Sequence, residues 1–564
     1  MNSSKFENKK RNWMGLYGLV LLAFVLVRLF VWKRTTLLED HDSVGYLESI
    51  KTFLRFDLDQ IIRLSPDTTP LYPLLASLFS WLSGSVETGA RLCSLVASLA
   101  VMVALVGIGQ RFLSPLAITL GLCIVAFSPA LIPFSISVLT EPLFIAVVYL
   151  GLWLFWRQYE RPTKARAAML GLTFGLSFLA RTEGLVFLAT VPVLQFVYSR
   201  FFQPSKYDSK NFLGWTFCFV IGFATVGFLQ IWRVSHLMGR FAINGRQAWE
   251  LILNRADGKS YEEKIYGLDY SPKQLNLDYI QSNPEILRQF ESSISVSRLA
   301  KTVARNVNDL SQQRLGELLG PVVLIFFVIG VLGVVSQRKF YEALLIFAFV
   351  GITLIAPLIH DHNLPIRNIA VIAPLMMLVA GGGMLYLPRL LLSLIGKDGE
   401  TEGARKAFAF GCLSLLMLSN TYALRQTFRP PTSNFEYSPE SFKQPLTIIN
   451  QQRQLNPGQT PKIVLRKAYF SYMAGAQVFF IPFTDYQRFV RYCWLNEIDY
   501  LFLQDHLVAK FPFFERFQTD PEEFECLYRG VDELGNLMRL YRFKMETVLL
   551  EDQWSENGPS RAHP

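Results

Sequence analysis

The sequence predicts a mainly α, polytopic membrane protein of about 11 transmembrane helices followed by a C-terminal soluble α/β domain. Three observations carry this. Leu-, Val- and Phe-rich runs of about 18–22 residues recur along most of the chain, the length that crosses roughly 30 Å of hydrocarbon. Hydrophobic residues make up 51% of the chain and charged residues only 18%, with a mean hydropathy of +0.27. A soluble domain carries roughly 25% charged residues. After about residue 425 the charge density becomes ordinary and short β-like runs appear.

The first span, 14–32, follows Lys9, Lys10 and Arg11, so its start reads as cytoplasmic. No cleavage site follows it, which makes it an uncleaved anchor. A first outer loop, 33–88, contains an amphipathic stretch, 43–63, with Val44, Leu47, Ile50, Phe53 and Leu54 at helical spacing. Residues 70–83 are apolar but short and broken by Pro70 and Pro73, and read as an interfacial or half-buried helix. Counted as a span, they would invert the rest and leave acidic or mixed inner loops.

Spans two to seven fall at 89–111, 116–133, 141–156, 165–180, 184–202 and 212–234. A large outer loop, 235–317, separates them from spans eight to eleven at 318–335, 341–359, 366–387 and 407–424. Every inner loop in this count is short and basic, which gives one consistent orientation. The net charge of +10 is therefore an orientation signal, and the expected partner is the lipid bilayer with no nucleic acid.

Residues 426–553 read as an outer soluble domain. Ile463–Leu465, Val478–Ile481 and Tyr500–Leu503 are expected strands, with a helix at 486–496 between the last two. The tail, 554–564, reads as disordered. Cys93, Cys123, Cys218 and Cys412 lie in spans as small packing residues. Cys493 and Cys526 fall in the outer domain, where a disulfide is open to them. No metal-binding motif and no internal repeat is present.

The residues with chemistry gather at the outer ends of the spans. Glu39-Asp40-His41-Asp42 lies just beyond span one, with Tyr46 four residues after Asp42. Asp42 reads equally as the N-cap of the amphipathic helix and as a catalytic acid, and Asp40 stands two residues earlier. Glu141 precedes Pro142 at the mouth of span four, which suits a first-turn carboxylate beside the helix dipole or a second acid over a shared cavity. Arg181 and Glu183 share a tight turn; they pair with each other or aim the guanidinium at a phosphate. Arg367 follows Pro365 at the mouth of span ten and is the preferred phosphate contact. His360 and His362 sit in the same loop, two residues apart and without further metal ligands in sight.

The order of these features resembles the GT-C class of integral membrane glycosyltransferases. The resemblance is to the bacterial dolichyl-phosphate-mannose-protein mannosyltransferase-like group that includes the lipid A aminoarabinose transferases. The features are a first-loop acid with Tyr46 after it, Pro70-Leu71-Tyr72-Pro73, Arg91, Ser128-Pro129, Thr140-Glu141, and Leu179-Ala180-Arg181-Thr182-Glu183-Gly184-Leu185. The resemblance spans about residues 14–424, and the outer α/β domain with Asp499-Tyr500-Leu501 also looks like that of bacterial members. It implies a polyprenyl-phosphate-linked sugar as donor, inversion at the anomeric carbon, and a glycan, lipid or protein acceptor on the outer face of the plasma membrane.

It places the catalytic acids at Asp42, with Asp40 as the fallback, and Glu141, and the donor phosphate at Arg367 and Arg181. Tyr46, Tyr72, Glu183, His360 and His362 are the substrate-binding set. It leaves a divalent metal ion open as a cofactor, and Glu141 would hold that ion or the acceptor. The chain departs from the group where the aminoarabinose transferases carry Lys before the first-loop Pro: here that stretch is Asp67-Thr68-Thr69. The competing readings are a transporter or flippase of lipid-linked sugars, whose polar groups belong nearer the bilayer midplane, and a non-catalytic assembly protein built on the outer domain.

Overall fold

The computed structural model describes residues 3–33, 40–64, 68–201, 209–239, 241–243, 296–337, 340–359, 365–394, 402–427, 439–455, 458–532 and 535–544. Most of the large loop, 244–295, the tail after 544, and His360 and His362 lie outside the described residues, as does the side chain of Asp40.

Helices occupy each stretch expected to span. Their starts follow local chemistry. Ser85, Ser114 and Thr163 are N-caps whose hydroxyls accept from the backbone N–H three residues on, opening Val86–Gly109, Pro115–Ala126 and Lys164–Ala180. Length is where structure and expectation part. Among the described residues five helices are long and apolar enough to cross a membrane: Trp13–Trp32, Val86–Gly109, Thr182–Phe201, Asn211–Leu237 and Ile366–Leu392. Ala300–Leu319 and Pro321–Ser336, bent by 101° at their junction, make a sixth if they form one span. The count of about 11 is thus not reached on length and composition. Pro115–Ala126 shows why: 12 residues rise only about 18 Å.

Leu71–Ser83 is half-buried as expected. Leu71, Tyr72, Ala76 and Ser80 face protein, whereas Leu74, Leu78, Trp81 and Leu82 are exposed. Gly84 closes it in the left-handed conformation at φ 70°.

Close helix contacts are made at small residues. Ala373–Leu394 crosses Pro115–Ala126 where Gly381 meets Gly121, and a Cβ on Gly381 would lie 2.3 Å from the Gly121 nitrogen. Ala373–Leu394 also packs along Pro321–Ser336, making it the central helix of the bundle.

Arg28 sits inside the first helix at 1% exposure. Its Nε donates to Ser135 Oγ at 3.0 Å, and Nη1 donates to the Ala126 carbonyl. Nη2 reaches the Val125 carbonyl at 3.4 Å, and the guanidinium lies over the Phe24 ring. These carbonyls end the short Pro115–Ala126 helix; Val125 also accepts from the Ser128 N–H at 3.4 Å, and Arg28 supplies the donor to Ala126. Arg28 therefore helps to cap this helix terminus in an apolar setting.

At the C-terminal end, five strands form one sheet in the order β2-β1-β3-β5-β4. They are β1 Lys462–Leu465, β2 Gln477–Phe480, β3 Tyr500–Gln504, β4 Phe524–Val531 and β5 Leu537–Phe543. β1 runs parallel to β2 and β3, while β5 is antiparallel to β3 and β4. The first three strands and the Tyr486–Leu495 helix match expectation. Side chains alternate between two cores. Val464, Leu501, Leu503 and Tyr541 pack with Phe489, Phe513 and Phe517. Ile463, Leu465, Phe502 and Leu540 pack with Phe442, Ile449 and Phe470.

This second core also takes in Val44, from the Asp40–Leu54 helix, whose Leu47 and Ile50 lie in the membrane-domain core. Lys51 of the same helix sits over the Tyr472 ring. One helix thus joins the two cores.

The disulfide open to Cys493 and Cys526 does not form; both are free thiols. Cys493 is wholly buried beside Phe489, and burial holds its thiol well above the usual range. The Cys526 thiol is raised too, by partial burial and by Asp520.

Two outcomes follow from this packing. Arg28→Met should lower the thermal midpoint in detergent, by a loss of about 1–3 kcal/mol for the stranded carbonyls; an unchanged midpoint would contradict the capping role. Under native conditions a thiol-alkylating reagent should modify Cys526 and leave Cys493 untouched until the chain is denatured. Mass spectrometry of tryptic peptides reads this directly, and early labelling of Cys493 would contradict its burial.

Candidate active site

Four chain segments converge at one cleft. The first is the Asp40–Leu54 helix. It begins at Asp40, so Asp42 lies in its first turn and is not its N-cap. The second is the start of Glu141–Glu160, with Pro142 in the first turn. The third is the break between Lys164–Ala180 and Val186–Phe201: Arg181 turns extended at φ −155°, ψ 143°, and a 3₁₀ turn, Thr182–Leu185, restarts the chain. The fourth follows Pro365, where Ile366–Ile369 opens the central helix and presents Arg367 and Asn368. The first loop is tied in as well, since Thr69 donates its hydroxyl to the Ala180 carbonyl at 2.7 Å.

The side chains form an alternating chain of charge. Arg181 Nη1 donates to Glu141 Oε1. Its Nη2 donates to Glu183 Oε1 at 2.7 Å and to Asn368 Oδ1 at 3.0 Å, and its Nε to Glu183 Oε2 at 3.3 Å. Arg367 Nε lies 3.9 Å from Glu141 Oε1, and its Nη1 donates to Asp42 Oδ2 at 2.7 Å. The order is Glu183, Arg181, Glu141, Arg367, Asp42.

Exposure rises along it. The Glu141, Arg181 and Glu183 side chains are 5%, 8% and 10% exposed. Arg367 and Asp42 reach 37% and 39%. The buried end is fixed: four hydrogen bonds hold Arg181, which leaves it little to offer a ligand. The open end, Arg367 with Asp42, is the part that an incoming molecule meets.

Beside this end is a small cleft lined by Phe144, Ile145, Pro357 and Val371 together with Glu141, Arg181 and Glu183, with a cavity volume of about 10 Å³. The lining combines apolar side chains with charged ones, and Arg367 and Asn368 also border it. Tyr46 completes the rim. Its hydroxyl lies 3.5 Å from Thr140 Oγ1, which is itself 3.5 Å from Glu141 Oε2.

The expected residues separate into groups. Asp42, Glu141, Arg181, Glu183 and Arg367 come together, with Tyr46 beside them. Tyr72 was expected to touch substrate; the structure buries it completely, with its hydroxyl donating to the Ala90 carbonyl at 3.1 Å. Its ring meets Tyr46 edge-on, 5.6 Å between centroids, so it supports Tyr46 and does not face the cleft. His360, His362 and the Asp40 side chain lie outside the described residues. Asn368 is outside the expected set, and Thr140 enters it only as part of the Thr140-Glu141 motif. Nothing in the sequence marks Asn368 except its place next to Arg367.

Among the described residues the acids are engaged by guanidiniums and do not form a metal donor set. Among the described residues no three His, Cys, Asp or Glu side chains group together. The three acids are held apart by guanidiniums, and Glu141 bonds Arg181 directly. No step is therefore routed through a metal.

Residues 67–228 match the family model described as dolichyl-phosphate-mannose-protein mannosyltransferase. No curated protein matched the chain by sequence. Among solved structures, ArnT from Cupriavidus metallidurans bound to undecaprenyl phosphate is similar with a TM-score of 0.54 at 12% identity, over 94% of this chain and 98% of that one. The oligosaccharyltransferase AglB from Archaeoglobus fulgidus, in complex with an inhibitory peptide and a dolichol-phosphate, gives 0.53 at 14% identity, over 94% and 74%. Its apo form gives 0.51 at 13%, over 87% and 69%. The chain has the fold of the GT-C class of membrane glycosyltransferases. The stretch that carries Glu141, Arg181 and Glu183 lies within the residues that the mannosyltransferase model matches.

The network sets a contrast in stability. Arg181→Ala leaves Glu141 and Glu183 buried without their partner and should cost about 3–5 kcal/mol. Arg367→Ala, at the exposed end, should cost no more than about 1 kcal/mol. Thermal unfolding in detergent compares the two, and equal losses would contradict the gradient of burial.

Proposed function

We propose that this protein transfers a sugar from a polyprenyl-phosphate-linked donor to an acceptor on the non-cytoplasmic face of the plasma membrane, with inversion at the anomeric carbon. The observation that carries this is the Asp42–Arg367 pair: an accessible acid and a guanidinium 2.7 Å apart at the mouth of an apolar-walled cleft. Two proteins of the same fold are described with polyprenyl phosphates, undecaprenyl phosphate on ArnT and dolichol-phosphate on AglB, and that supports a lipid-carried donor here.

Each role follows from residue chemistry. Asp42 is the general base and takes the proton of the acceptor hydroxyl. The acceptor oxygen forms its bond to the anomeric carbon as the bond from that carbon to the phosphate oxygen breaks. The phosphate leaves with the electron pair, and Arg367 balances the charge growing on it. Glu141 holds Arg181 and stands within 3.9 Å of Arg367, which makes it the hub that positions both guanidiniums. The prenyl chain stays against the apolar wall while its phosphate reaches the polar floor.

In this reading residues 1–425 form the membrane-embedded transferase and 426–553 a soluble domain on the outer face, with the N-terminus cytoplasmic. The acceptor is a glycan, a lipid or a protein, and the sugar a hexose or a pentose.

Membranes holding the protein should transfer label from a polyprenyl-phosphate sugar to endogenous acceptor. Asp42→Asn should lower that rate by about 10²–10⁴-fold, the range for loss of a general base, with unchanged amounts of inserted protein. Undiminished transfer by Asp42→Asn would remove it from the mechanism.

A further inference from the structure

We infer that Asn368 is a second contact to the phosphate of the lipid-linked donor, working beside Arg367; this rests on the polyprenyl-phosphate reading above. The argument begins with an atom that cannot accept. Arg181 has only N–H donors, so the Asn368 atom 3.0 Å from its Nη2 must be the amide oxygen. That fixes which way the amide lies. Nδ2, with two N–H groups, is held away from Arg181, and Asn368 lines the cleft. Among the described residues Nδ2 has no hydrogen-bond partner and it is not buried.

The remaining donors in the cleft are engaged. Arg181 is held by Glu141, Glu183 and Asn368 itself. The Thr353 hydroxyl donates back to the Phe349 carbonyl of its own helix at 3.0 Å. Arg367 makes one hydrogen bond, to Asp42, and has the rest of its fork open. Among the described residues that line the cleft, the donors left open are thus Arg367 and Asn368 Nδ2, on consecutive residues.

Charge decides what they meet. Among the described residues Asp42, Glu141 and Glu183 surround the two guanidiniums, so an anion is met best where N–H donors remain open. A phosphate oxygen only accepts, so it fits two groups that only donate. A sugar hydroxyl also needs an acceptor, and the nearby carboxylates serve that need. Asn368 adds a hydrogen bond without adding charge. The phosphate is therefore gripped by one cation and one neutral donor, and it can depart with the prenyl chain after transfer.

The test is binding of undecaprenyl phosphate to the purified full-length protein in detergent, read by native mass spectrometry, for wild type, Asn368→Asp and Asn368→Ala. Asn368→Asp keeps an oxygen for Arg181 and replaces the free donor with a negative acceptor, so its Kd should rise at least tenfold. Asn368→Ala should weaken binding several-fold, and it reads the same contact if the Asp variant folds poorly. Wild-type-like binding by both variants overturns the role of Asn368 and leaves the donor reading standing. Unchanged binding with a raised acceptor KM also overturns it, by assigning Asn368 to the acceptor. No binding by the wild type overturns the donor reading itself, a result distinct from the other two.

Discussion

The site depends on burying one guanidinium. Taking Arg181 out of water is costly, and only dense compensation makes it stable. Two carboxylates and an amide oxygen supply this from three separate segments: Glu141, Glu183 and Asn368. Each sits where a helix begins or breaks. Pro142 and Pro365 flank two of these starts, and the extended backbone of Arg181 makes the third. The charges can meet because the helices stop there.

From that fixed centre the network grades outward. Buried groups have one arrangement, since leaving any of them unpaired carries the full desolvation penalty. Arg367 and Asp42, partly in water, are held by a weaker constraint and can exchange partners. In the proposed reading, a rigid floor and an adaptable rim suit a site whose base and phosphate contact must engage groups that arrive and leave. Arg28 is buried without any acid, donating to Ser135 Oγ and to carbonyls at the end of the Pro115–Ala126 helix.

The helix that carries Asp42 belongs to two cores. Val44 faces the C-terminal sheet, and Leu47 and Ile50 face the membrane domain. Its periodicity is ordinary for an amphipathic helix, and the sequence reading assigned its apolar stripe to the membrane interface. Both partners are protein instead. A hydrophobic stripe says that a face is covered, but not by what.

By itself the sequence determined the membrane class, the helix positions, the half-buried 71–83 segment, three of the five strands, and most of the charged set. These are local signals: apolar run length, caps, prolines, and charges where apolar runs end. What it missed depends on partners distant in sequence. β4 and β5 carry Glu525, Arg529, Arg539 and Arg542, and the buried Arg539 is made tolerable by Asp505, 34 residues away. The burial of Tyr72, the free state of Cys493 and Cys526, and the bonding of Asp42 to Arg367 across 325 positions were settled only by packing. So was the direction of the Asn368 amide, since it takes a donor on another helix to decide which end of an amide points away.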